Sequence, residues 1–295
     1  MAIWQTLKQR FDNLSGAWLV VLAAVAWSSA GAVVKSFDTH PLLLVGTRSL
    51  IGGLALAALI RPQKIVFDRW LLFTIICYAT FSLVAMTTLR LTAAVVVIAM
   101  QYTAPVWIFL VGWIFKKQYD KKRIVVMALI CVAMILFLVF PVPGSAVWGN
   151  WLSLMMGVLF ALISVCLKKV RHNNPIGVIA ICNLGTAALV LPLCFIIPGI
   201  PLHIGPTDWL LIAYLAVFQL SAGYVFYTLG IKKLNPQKAT LLSMWEFILT
   251  PLWAFIVVRE MPTLIVWLAC ALLVAALVWD NRLDSLKPVE SADTA

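Results

Sequence analysis

Runs of about 20 apolar residues, broken by short polar and basic stretches, recur along the whole 295-residue chain. A helix of that length crosses a hydrocarbon layer about 30 Å thick. The pattern predicts ten spans, at about 15–34, 42–60, 70–89, 93–115, 124–140, 148–167, 176–197, 208–230, 237–258 and 262–279. The connections are short and leave no room for a soluble domain. Continuous apolar runs, rather than the weak alternation of barrel strands, predict an all-α polytopic membrane protein. Ahead of the first span, MAIWQTLKQRFDNLSG lacks the basic-then-apolar order of a signal peptide. Its Trp4, Leu7, Phe11 and Leu14 fall at helical spacing beside Lys8 and Arg10, which predicts an interfacial helix over 1–14. Residues 281–295 read as a polar tail.

Composition agrees with this pattern. Hydrophobic residues make up 63% of the chain and charged ones 11%, against roughly 25% charged in soluble domains. The net charge of +11 is arranged by side of the membrane. With the N-terminus in the cytoplasm, 18 Lys and Arg fall inside, and Lys35, Arg90 and Arg259 fall outside, while Arg48 lies within the second span. This is the positive-inside bias. The basicity is therefore topological and calls for no nucleic-acid partner; the expected partners are membrane lipids and a small-molecule substrate. An integral plasma (inner) membrane protein with both termini cytoplasmic is expected, as monomer or homodimer. Trp18, Trp70, Trp113, Trp148, Trp209 and Trp279 fall near span ends, where indole suits the headgroup layer. The six cysteines all lie in apolar spans and the three histidines at loops or span edges, so neither a metal nor a cofactor is expected.

The chain also repeats itself. Gly16-Ala17-Trp18-Leu19 is echoed by Gly149-Asn150-Trp151-Leu152, Lys35 and Pro41 by Lys169 and Pro175, Trp70-Leu71-Leu72 by Trp209-Leu210-Leu211, and Thr88-Leu89 by Thr228-Leu229. The ordered series covers five spans in each half, 15–140 and 148–280. Because five is odd, the second copy enters the membrane from the opposite side. An inverted five-plus-five repeat is a common plan of secondary transporters, since two related halves give two related packings, one open to each face.

Four stretches in order carry a family likeness: AWSSAGAVVK at 26–35, LLLVGTRSLIGG at 42–53, YTAPVWIFLVGWIFKKQ at 102–118 and WEFILTPLWAFIVVRE at 245–260. Together they resemble the drug/metabolite transporter superfamily, specifically proteins with two EamA-type domains. The resemblance implies a central cavity between the halves and export of small metabolites, often amino acids or their derivatives. Relatives often carry Glu-Pro where this chain has Ala104-Pro105 and Glu246-Phe247, so each half keeps one member of the pair. The glutamate that closes the fourth span of a repeat is kept as Glu260, but its counterpart is Gln118.

Two full charges lie well inside the spans, Arg48 and Glu246. Each costs about 2.5–3.5 kcal/mol at a helix centre on insertion scales, and such residues face a cavity or a partner. Thr240, Ser243, Glu246 and Thr250 share one helical face, and Pro251 is expected to loosen the helix just beyond the carboxylate. Pro105 sits at a comparable depth in the fourth span. Glu246 is a candidate proton-coupling group, because a low-dielectric surround disfavours the ionised acid; a purely structural carboxyl is the alternative. Arg48 is its candidate partner, or a residue that snorkels outward; the resemblance favours a structural or gating role for it, with direct contact to a substrate carboxylate as the alternative. Lys35 is read as an interfacial anchor, with a gate residue as the alternative. Gln101, Tyr102, Trp245, Trp27, Ser243 and Tyr224 are candidate cavity residues, pairing aromatic faces with hydrogen-bonding edges; for each, core packing is the competing reading.

An intramembrane enzyme would need a Ser–His pair, two aspartates or HExxH at depth, and no span carries one. There is no GxxxxGK[ST] motif to use ATP. The expected function is a secondary transporter working by alternating access, with or without proton coupling, and with gates near the ends of spans one, four, six and nine. A facilitator or exchanger, or a drug-efflux transporter of the same fold, is the alternative.

Overall fold

Several helices begin where a short polar side chain takes up a backbone N–H that the first turn leaves unpaired. Asp68 Oδ1 accepts from Leu71 N at 2.7 Å, Asn235 Oδ1 from Lys238 N at 2.9 Å, and Asn174 Oδ1 from Ile176 N at 3.0 Å, the last two each followed by a helix-starting proline. In this computed structural model residues 14–36, 39–59, 65–116, 121–140, 142 and 146–285 are described. The interfacial helix expected over 1–14 lies, except for Leu14, outside the described residues, as does the tail beyond 285.

Among the described residues ten helices are long and apolar enough to cross a membrane: Gly16–Val34, Pro41–Leu59, Arg69–Leu91, Ala94–Ile114, Lys121–Val139, Val147–Lys169, Pro175–Ile196, Pro206–Ile231, Lys238–Val258 and Leu264–Leu283, here called spans one to ten. No strand occurs among the described residues. The last helix runs to Ser285, past the apolar run that ends near Trp279, and Asp280 Oδ1 lies 3.6 Å from Arg123 Nη1 of span five.

The two halves interleave. Span one packs on eight, two on seven, three on six, four on nine and five on ten. Under the exchange of halves that the sequence repeat implies, the one–eight contact maps onto three–six, and the other three contacts map onto themselves. A two-fold exchange of the halves gives that pattern, and because each half has five spans the second crosses the membrane in the opposite sense, so the fold is an inverted five-plus-five repeat. Spans two and seven approach closely through glycine: a Cβ on Gly53 would stand 3.0 Å from the Leu184 backbone nitrogen. Large apolar side chains such as Trp148, Phe195 and Leu264 stay exposed on the outside, as a lipid-facing surface requires.

Three spans are interrupted and one is locally underwound. Span one breaks at Ser29, where Ser28 and Ser29 hydroxyls bond back to the carbonyls of Val25 (2.9 Å) and Ala26 (2.8 Å). Span four breaks at Tyr102–Thr103, just before Pro105 in the first turn of the next helix, where a proline is tolerated. Span nine breaks at Met244, the pseudo-equivalent of Tyr102. This corrects the expectation for Pro251. The discontinuity precedes Glu246 instead of following it, and Pro251 sits buried inside the continuous helix Trp245–Val258, which tertiary packing holds together despite the lost bond to Phe247. Span eight contains π-helical turns over Tyr214–Ala222, an insertion often met at functional sites.

Candidate functional site

A cavity of about 590 Å³ lies between the halves, within the range of small-molecule sites. Its lining draws on nine of the ten spans, all but five. One end is set by Ala30, Leu89 and Val97. The other reaches Leu167 at the end of span six, Thr240 at the start of span nine, and Asp280 and Asn281 at the end of span ten. Those ends lie on the membrane face that carries the start of span one.

The opposite face is closed above the cavity. Lys35, at the end of span one, forms an ion pair with Glu260, which follows span nine. Glu260 Oε1 also accepts the Ala94 N–H at 3.0 Å, at the start of span four. One carboxylate thus joins three spans. Arg259 adopts left-handed backbone (φ 57°), its N–H returning to Phe255 O at 3.1 Å, and this turn ends the helix just before Glu260. Lys35 is therefore a bonded closure residue here, beyond its expected place as an anchor.

Glu246 is 6% exposed and lines the cavity in the first turn of Trp245–Val258. The helix interruption at Met244 puts it there, where unpaired N–H groups of a helix start favour negative charge. Its side chain meets the Tyr102 hydroxyl, 3.3 Å from Oε2; that hydroxyl also lies 3.1 Å from the Ser243 carbonyl. A phenol has one proton to donate, so it can serve one of these acceptors at a time. The breaks in spans four and nine thereby meet face to face.

Arg48 also lines the cavity and is 7% exposed, so it does not snorkel to an interface. It does not hydrogen-bond to Glu246. Its Nη2 donates to Gln219 Oε1 at 2.7 Å, in the π-helical turns of span eight. The Trp27 indole lies against Tyr224 (centroids 5.3 Å apart, 65° between planes) and Tyr227 (5.2 Å, 50°). Gly223 makes this possible, because any Cβ there would collide with the Trp27 ring.

Of the expected cavity residues, Glu246, Arg48, Trp27, Gln101, Tyr102, Ser243 and Tyr224 all line it, and so does Pro105, expected as a helix break. Trp245 does not: it is 45% exposed and points away from the cavity lined by its neighbour. Successive helical positions are about 100° apart, so adjacency to Glu246 in sequence argues against a shared face. Thr250 is buried, its hydroxyl bonded to Glu246 O at 2.7 Å. Tyr78, Phe81 and Phe160 join the lining without having been singled out. Their side chains are common in membrane spans, and Tyr78 in ICYAT carries no spacing that would mark it. Among the described residues no three His, Cys, Asp or Glu gather as a metal site would need.

An inverted repeat wrapped around a largely apolar cavity that carries a few polar and charged groups and reaches one face is the plan of a membrane transporter. The sequence profile of the EamA-like transporter family matches the chain twice, over residues 14–139 and 147–280, and the chain belongs to that family. It is 22% identical over 263 residues to an "uncharacterized transporter" of Archaeoglobus fulgidus, covering 88% of this chain and 93% of the relative. A solved structure known only as the crystal structure of a protein shares the fold, with a TM-score of 0.65 and 18% identity, over 92% of this chain and 99% of that one.

Proposed function

We propose that this protein is a secondary transporter that exports small amphiphilic metabolites, amino acids or related compounds, by alternating access. The observation that carries this reading is a cavity between the halves that holds a buried carboxyl, Glu246, and reaches one face while Lys35, Glu260 and Ala94 are joined at the other. The Lys and Arg bias supports reading the open face as cytoplasmic, and a plasma (inner) membrane location is part of the same proposal. In this state a solute enters from inside; breaking the Lys35–Glu260 contact and closing the ends of spans six and nine would release it outside. Glu246 is the candidate proton carrier of the cycle, since it can bond to Tyr102 in either protonation state and faces the solute path.

The test is flux of a labelled panel of amino acids and amphiphilic amines into proteoliposomes of the purified chain. Saturable uptake of one class, abolished by Trp27→Ala or by excess unlabelled compound, supports the reading. Flux no greater than in empty liposomes for every compound tested would oppose it. Uptake that equilibrates and ignores a pH gradient marks an uncoupled facilitator.

A further inference from the structure

Arg48 is a buried cation without a counter-ion. No carboxylate among the described residues pairs with it; one Nη meets the neutral Gln219 amide and Nε has no hydrogen-bond partner. A guanidinium taken out of water is costly unless a charge meets it, so a cavity wall bearing one is built to receive an anion.

The surrounding chain positions this group with care. Gln219 reaches it from the π-helical turns, and Ser221 ties those turns to span two, its hydroxyl 2.7 Å from Ala216 O and 3.1 Å from Gly52 O. The Tyr78 and Tyr224 phenols are the guanidinium's electrostatic neighbours. Asn183 Nδ2 donates to the Tyr78 hydroxyl at 3.2 Å, and Asn183 Oδ1 is left without a partner. Neutral polar groups thus surround Arg48, with no acid among them. The opposite pole is Glu246, with Tyr227 as its neighbour. Trp27 links the two groups, touching both Tyr224, a neighbour of Arg48, and Tyr227, a neighbour of Glu246.

We propose that Arg48 and Gln219 form a carboxylate subsite. It takes the anionic group of a small solute whose apolar body lies on the Trp27–Tyr224 wall and whose amine faces Glu246. This deepens, and rests on, the reading of the cavity as a solute path. A purely cationic amphiphile would meet the charge of Arg48 with nothing to offer it. A dianion would set its second charge against Glu246. The solute class that satisfies both poles is a monocarboxylate carrying an amine.

The test uses a matched series of one amino acid, its amide and its decarboxylated amine. Each is followed by thermal stabilisation of the purified full chain and by flux into proteoliposomes. Wild type should bind and carry the amino acid at least tenfold better than the other two. In Arg48→Gln the amino acid should fall to the level of its amide while the amide changes less than twofold, and Arg48→Lys should regain part of the preference. Gln219→Ala, which keeps the charge, should weaken the preference and serves if the Arg48 variants do not fold. The subsite is overturned if wild type treats the three alike, if none of them binds or crosses, or if both substitutions lower all three equally. Arg48-dependent binding without flux would sink the transport reading and leave the subsite. Flux indifferent to the carboxylate would do the reverse.

Discussion

Lys35 and Glu260, 225 residues apart in sequence, form an ion pair that ties the end of span one to the end of span nine. The same carboxylate holds the first N–H of span four, so the contact joins the two halves at one face. The pseudo-equivalents of Glu260 and Ala94 are Gln118 and Pro236. The first is uncharged and the second has no N–H, so this ion pair and amide bond have no copy at the other face. Fold symmetry is thus combined with chemical asymmetry between the two faces.

Loss of that contact should shift the balance of states. A charge-assisted hydrogen bond contributes about 1.5–3 kcal/mol, so Glu260→Gln should raise the population open at this face by roughly tenfold or more. A cysteine at Leu89 or Val97, labelled from outside, reads this as faster modification. The exchange Lys35→Glu with Glu260→Lys should restore part of the protection. Equal labelling in all variants would remove the contact from the closing mechanism.

Gly223 is expected to tolerate no side chain. A Cβ there would strike the Trp27 indole, and overpacking of this kind costs about 1–3 kcal/mol. Gly223→Ala should lower the thermal midpoint and alter Trp27 emission, taken as the difference between chains with and without Trp27→Phe. An unchanged midpoint and spectrum would mean that Trp27 is not held as described.

Asn150 provides a fold test away from the cavity. It is fully buried, accepts from the Thr92 hydroxyl and donates to Phe137 O at 3.0 Å. Asn150→Ala leaves both groups unpaired, at about 1–3 kcal/mol each. A clear drop in thermal stability is expected, with flux per folded molecule retained because the residue does not line the cavity.

How much of this was legible in the sequence depends on the range of the interaction. Span positions follow from apolar length alone, and Lys238–Val258 falls within a residue of the expected 237–258. The inverted repeat follows from short matches in order. Arg48 and Glu246 stood out because charge is rare at depth, yet their partners did not. Gln219 reaches Arg48 through π-helical turns, and no local pattern in YLAVFQLSA announces them. Pro251 misled because its effect on a helix depends on what packs around it, whereas the break at Met244 has no proline nearby on its N-terminal side closer than Pro236. Trp245 was drawn in by adjacency to Glu246, although neighbouring positions on a helix face different ways.

The central claim is that Glu246 couples a solute path to protons. It is tested most directly by accumulation in proteoliposomes of wild type and Glu246→Gln, with and without an imposed pH gradient. Wild type should concentrate its solute against a gradient only when the pH difference is present. Glu246→Gln should still exchange labelled for unlabelled solute but never accumulate it. If wild type and variant accumulate the solute to the same level and with the same dependence on pH, the carboxyl is part of the cavity wall alone, and the coupling role assigned to it is contradicted.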